Sequence, residues 1–115
     1  MHVFVYGTLK RNQCRAHHLK NQQFIGQVRT TADYRMHNVG EYPGLVATSA
    51  GATIDGELWE IDEPCRARLD VVEAVADGEY ALRRIQLLDP HASVEAYAYF
   101  YLRDVSGLPD CGSCW

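Results

Sequence analysis

Two places in this sequence hold residue types that could do chemistry together. The first is Tyr6-Gly7-Thr8-Leu9, at the end of the β-branched and aromatic run Val3-Phe4-Val5. Such a run reads as a strand, and it stops at a glycine and a small hydroxyl residue. Without a Cβ, Gly7 lets the backbone turn and come close to a ligand. Thr8 and the N–H groups beside it can then offer donors to an anion or a carbonyl oxygen. The same residues also fit a plain strand followed by a turn. The second place is Glu73, four residues after Leu69 and beside a helical apolar stripe. Partial desolvation there raises a carboxyl pKa toward the range that a general acid/base needs at neutral pH. A surface glutamate near Arg66 or Arg84 fits the position equally.

The remaining reactive residue types lack a productive spacing. Gly7-Thr8-Leu9-Lys10 is not a P-loop, which needs an earlier glycine and a Gly-Lys-Ser/Thr ending. His17 and His18 are adjacent rather than i, i+4, so they do not share a metal on one helix face and read as surface or packing residues. No histidine stands in a nucleophile context, which removes a Ser-His-Asp arrangement. Cys14 and Cys65 are isolated, and Cys111-Gly112-Ser113-Cys114 is a single C-x-x-C on a tail. A structural zinc usually takes two such pairs, and a thioredoxin-type motif opens a helix after a strand. No metal site is expected; the pair reads as chance or as a terminal disulfide formed on oxidation.

Composition narrows the class further. The chain has 115 residues, 47% hydrophobic and 23% charged, which fits one domain burying roughly two-thirds of its extended surface. A formal net charge of -4 gives no field for a polyanion, so nucleic acid is not an expected partner. No stretch approaches the roughly 20 apolar residues that span a bilayer. Met1-His2 and the short apolar run after them lack the pattern of a signal peptide. The expectation is a cytoplasmic protein with reduced cysteines and no membrane contact.

Periodicity then indicates what must hold the two candidate places. Strand-like pieces are Phe24–Val28, Tyr34–Asn38, a short Leu45–Ala47, Thr53–Ile61, Tyr80–Leu88 and Val94–Leu102, with turns at Pro43-Gly44 and Ser49–Gly51. In the stretch 53–61, Ile54, Gly56 and Leu58 alternate with Asp55, Glu57 and Trp59, the pattern of a half-buried strand. Tyr97, Tyr99 and Tyr101 share one face of the last strand, suited to packing or to lining a polar cavity. Ala16–Leu19 suggests a short helical turn. One helix is strongly marked: Asp62 as N-cap, Pro64 in the first turn, and Cys65, Leu69, Val72 and Ala76 as a core stripe, ending at Asp77-Gly78. Many strands with one main helix predict a small α+β domain over residues 1–115, with a closed or strongly curved sheet and a loop-like tail from about residue 106.

Four pieces occur in order: Phe4–Lys10, Gly40-Glu41-Tyr42-Pro43-Gly44, Gly56-Glu57-Leu58-Trp59, and Leu69-Asp70-Val71-Val72-Glu73 with Tyr80 and Arg83 behind it. Together they resemble the γ-glutamylcyclotransferase-like family, which includes AIG2-like proteins and γ-glutamylamine cyclotransferases. The likeness runs from Val3 to about Tyr101. It implies a small mixed, mostly antiparallel β-barrel with one main flanking helix and a cavity for a γ-glutamyl group. It further implies that Tyr6, Gly7, Thr8 and Leu9 bind substrate and that Glu73 is the catalytic acid/base. The implied reaction cyclises a γ-glutamyl amine or peptide to 5-oxoproline and releases the amine, with no cofactor. A non-catalytic module binding a small carboxylate or amide on the same fold is the alternative. A thiol- or metal-dependent interaction protein using Cys111 and Cys114 is a third. One departure stands out: the family often follows this Glu with a Gly-x-Pro-like segment, where this chain has Ala74-Val75-Ala76-Asp77. Oligomeric state and leaving amine are not encoded in any of these features.

Overall fold

The apolar runs become strands and the Asp62-capped segment becomes the one α-helix. A computed structural model describes all 115 residues. In chain order the elements are β1 (His2–Val5), β2 (Gln23–Arg29), β3 (Tyr34–Asn38), β4 (Pro43–Ala47), β5 (Asp55–Glu60), α1 (Glu63–Val72), β6 (Tyr80–Ile85) and β7 (Ala96–Tyr101), with single 3-10 turns at Ala16–Leu19 and Val75–Asp77. The strands form one mixed sheet in the order β2-β5-β1-β7-β4-β3, and β6 also pairs with β7.

Strand β7 organises the centre. It pairs antiparallel with β6 along its whole length, parallel with β1 at Ala96 and Tyr97, and parallel with β4 at Phe100. Where β7 passes from β1 to β4, the chain leaving β1 meets the start of β4. A Cβ on Gly7 would lie 2.7 Å from Pro43 Cγ, so only glycine permits that approach.

The sheet does not close into the expected barrel. Its ladder has two ends, and an isolated bridge between Thr30 and Leu87 ties the residues just past β2 and β6. The edge of β3 is covered instead by the C-terminal segment, where Asn38 N–H donates to Pro109 O and Cys111 N–H to Met36 O, both at 2.8 Å. The tail therefore lacks regular structure yet belongs to the fold, with Cys111 and Trp115 packed against the core.

Both faces of the central strands are buried. Phe4, Tyr6, Met36, Leu45, Leu58 and Phe100 belong to one apolar cluster, and Val3, Val5, Trp59, Leu69, Tyr80 and Tyr99 to the other. Strand β5 is consequently not half-buried as its alternation suggests. Trp59 packs edge-on against Phe24, and Glu57 is only 3% exposed beneath Arg11.

Strands β5, β6 and β7 are shorter than the sequence reading, β6 ending at Ile85 rather than Leu88, and two further boundaries bear on the site. Pro43 and Gly44 are not the turn but the first residues of β4, opposite Asn38 and His37. Proline is tolerated as the first residue of a strand, and the turn falls just before it, with Gly40 at φ +141°. Helix α1 begins as expected, Asp62 accepting the Cys65 N–H at 2.8 Å, but it ends at Val72 rather than at Asp77. Ala74 takes a left-handed conformation (φ +51°), which breaks the helix and leaves Ala76 exposed outside the stripe. No helix is long and apolar enough to cross a membrane.

Candidate functional site

The early end of α1 makes Glu73 its C-cap, the N–H donating back to Leu69 O at 2.8 Å. From there Glu73 lines the same cavity as Tyr6, Gly7, Thr8 and Leu9, which β1 delivers from the other side. The five residues singled out in the sequence thus meet at one place. Phe4, Val5, Tyr42, Pro43, Tyr80 and Tyr99 complete the walls of this half-open cavity, whose volume is about 30 Å³.

Glu73 is not paired with either arginine considered from the sequence. Arg66 pairs with Glu63 and Asp70, and Arg84 with Glu95. Burial raises the Glu73 pKa to about 7; the positive charge of Arg15 opposes the shift, and the negative charge of Glu79 adds to it. A carboxyl group poised there can both accept and return a proton near neutrality.

The loop opposite combines occupied carbonyls with free donors. Lys10 N–H donates to Gly7 O at 3.1 Å and Arg15 N–H to Thr8 O at 2.9 Å. The N–H groups of Gly7, Thr8 and Leu9 have no acceptor within the protein. Three consecutive unpaired donors on a cavity wall suit an anion or a developing oxyanion. The side chains do other work: Leu9 is a core residue, and the Tyr6 hydroxyl donates to Tyr99 O at 2.6 Å inside the protein.

This loop is anchored from behind by Glu57. Its carboxylate accepts from Arg11 N–H and Arg11 Nε, both at 3.0 Å, and from Trp59 Nε1 at 3.2 Å. A buried carboxylate with these charge-assisted bonds fixes where the chain goes after Leu9. The alternating pattern of β5 gave no sign of it, because alternation places Glu57 on a face that the sequence alone leaves uncovered.

The tyrosine walls are also fixed. Tyr80 donates to Pro43 O at 2.9 Å, Tyr99 to Asp70 Oδ1 at 2.6 Å and Tyr42 to Glu79 Oε1 at 2.6 Å. Desolvation, or for Tyr42 the Glu79 hydrogen bond first, pushes all three phenols up, Tyr42 to about 12. They are neutral across the physiological range. The spacing of Tyr99 was visible in the sequence, but which face met a cavity was not. Arg15 and Glu79 carry no sequence signal; they come near Glu73 only through the fold.

The cysteines lie elsewhere. Cys111 packs against the core and its thiol is pushed up by burial, whereas Cys114 is exposed; all four cysteines are free. No group of three or more His, Cys, Asp or Glu side chains is gathered as a metal would require.

Comparison with known proteins bears on the class. The family described as gamma-glutamyl cyclotransferase, AIG2-like, matches residues 3–115. The gamma-glutamylcyclotransferase family protein YtfP of Escherichia coli K12 is 37% identical over 108 residues, covering 94% of this chain and 88% of that one. The solution structure of E. coli ytfP superposes with a TM-score of 0.74 at 35% identity, covering 98% of this chain and 93% of the other. An AIG2-like protein from Mus musculus superposes with a TM-score of 0.76 at 28% identity, covering 97% and 86%. The chain belongs to the AIG2-like gamma-glutamyl cyclotransferase family.

Proposed function

We propose that this protein converts a small γ-glutamyl amine or peptide to 5-oxoproline with release of the amine. The observation that carries the reading is Glu73, with a pKa near 7, across one cavity from the unpaired N–H groups of Gly7, Thr8 and Leu9.

On this reading Glu73 takes a proton from the substrate's α-ammonium. The freed amine attacks the γ-carbonyl carbon, a carbon–nitrogen bond forms, and the carbonyl electron pair moves onto oxygen. The nucleophile is tethered to its target, so proximity supplies much of the rate. Donors of the Gly7–Leu9 loop stabilise the oxyanion, each worth about 3 kcal/mol. The oxyanion collapses, the bond to the departing amine breaks, and the lactam remains. Two protons pass in all from the α-nitrogen to the leaving nitrogen, with Glu73 carrying each in turn.

A half-open cavity of about 30 Å³ has room for about two water molecules. The narrowness equally favours the second reading, a module that holds a small carboxylate or amide without turning it over. Incubation with a panel of γ-glutamyl amines and dipeptides, assayed for 5-oxoproline, separates the two. Lactam formation supports the enzyme; thermal stabilisation by the same compounds with no lactam supports the binding module.

A further inference from the structure

Arg15 places an unpaired cation beside the Tyr42 wall of the cavity. Its backbone N–H fastens the loop by donating to Thr8 O, but its guanidinium belongs to no ion pair and donates no hydrogen bond within the protein. Arg11, four residues earlier, is by contrast committed to Glu57. The Arg15 guanidinium carbon stands 5.3 Å from the centroid of the Tyr42 ring, a wall of the cavity. Glu79, the other carboxylate close by, is already taken by the Tyr42 hydroxyl at 2.6 Å.

A partly buried, unpaired guanidinium over one wall of a cavity that has a carboxyl on another is a charge pattern with a matching ligand. The γ-glutamyl group carries an α-carboxylate one bond from the carbon that bears its α-ammonium. If Glu73 serves the ammonium, the carboxylate lies within one bond of that carbon and can turn toward Tyr42, where Arg15 offers a planar pair of donors. Cation–aromatic contact with Tyr42 is weak beside a charge-assisted bidentate bond, so a carboxylate can draw the side chain off the ring.

We propose that Arg15 is the specificity-determining residue that binds the α-carboxylate of the γ-glutamyl group. The inference rests on the function proposed above. It assigns the discrimination between α-carboxylates and neutral analogues to one side chain, outside the Tyr6–Leu9 loop and Glu73.

The test compares γ-glutamyl butylamide with the same molecule carrying an α-carboxamide, using the protein and its Arg15→Gln and Arg15→Lys variants. Arg15 is partly exposed and its side chain makes no ion pair or hydrogen bond, only a weak contact with Tyr42, so both variants should fold. The parent is expected to prefer the carboxylate, and at a pH above the Glu73 titration Arg15→Gln is expected to lose roughly 10- to 100-fold more in kcat/KM on the carboxylate than on the carboxamide. Arg15→Lys should recover part of that loss. A carboxylate preference unchanged in Arg15→Gln overturns the proposal, as does an equal loss on both substrates. If neither substrate yields a lactam, the proposed function fails, and binding decides Arg15 separately. 5-Oxoproline should then bind the parent more tightly than its carboxamide does and lose that advantage in Arg15→Gln. Equal binding of the two, or no binding of 5-oxoproline, contradicts the inference.

Discussion

Pro43 fills the space where a side chain on Gly7 would be: a Cβ there would lie 2.7 Å from its Cγ and 2.9 Å from its Cδ. The glycine is needed because the β4 proline crosses the loop. The Tyr80 hydroxyl, donating to Pro43 O at 2.9 Å, holds that proline in place. Neither partner can yield cheaply, since a proline ring has little freedom and its carbonyl is bonded. Gly7→Ala should therefore cost about 1–3 kcal/mol, typical of overpacking, and displace the loop opposite Glu73. Urea denaturation checks the first effect. A loss of activity that persists at temperatures where the variant remains folded checks the second.

Glu57 makes a separate demand on stability. Glu57→Ala strands the Arg11 N–H and the Trp59 indole N–H against a buried wall. Arg11 is half-exposed and keeps its own hydration, so the cost falls below that of a fully buried pair, at about 2–3 kcal/mol. A fall in Tm measures it. Glu57→Gln, which retains an acceptor of the same shape, should lose less.

The raised pKa of Glu73 makes a prediction for stability whose sign is the reverse of the usual carboxylate. In the unfolded chain this group titrates near its ordinary value; in the fold it titrates near 7. Between the two the folded state binds the extra proton, so stability falls as pH rises from about 4.5 to about 7 and stays lower above it. Partial exposure reduces the effect to about 2 kcal/mol. Glu73→Gln should consequently be more stable than the parent at pH 8 and equal to it near pH 4. Thermal melts across that range decide the matter, and a variant less stable at pH 8 contradicts the assigned environment.

Charges around Glu73 should move its titration in opposite directions. Arg15 lowers the pKa and Glu79 raises it. Arg15→Gln should shift the rising limb of the pH profile upward, and Glu79→Gln should shift it downward. A carbon-13 titration of the Glu73 carboxyl reads both shifts without requiring turnover.

Much of this fold is legible in the sequence, because strands such as His2–Val5 and Ala96–Tyr101 carry strong β-branched or aromatic patterns, and Asp62 with Pro64 marks the helix start. The misread places share a cause: local pattern yields to tertiary contact. Pro43-Gly44 has the composition of a turn, but pairing with His37 and Asn38 draws it into a strand. The stripe Cys65-Leu69-Val72-Ala76 continues in sequence after Ala74 has already broken the helix. The early break matters to the site, since it turns Glu73 from a position on a helix face into a C-cap at a cavity wall. The sheet does not close into the barrel that the resemblance implies, and residues 109–111, which read as a loose tail, occupy the edge of β3. Glu57, Arg15 and Glu79 were not readable as partners of the site because their roles depend on contacts across many residues of sequence.

The most direct measurement of the central claim is 5-oxoproline release from γ-glutamyl butylamide by the parent and by Glu73→Gln between pH 5 and 9. The account predicts a parent rate that rises with pH through an apparent pKa near 7, and a Glu73→Gln rate lower by at least 100-fold with no such limb. A Glu73→Gln variant that matches the parent in rate and pH profile contradicts the assignment of Glu73 as the group that moves the protons.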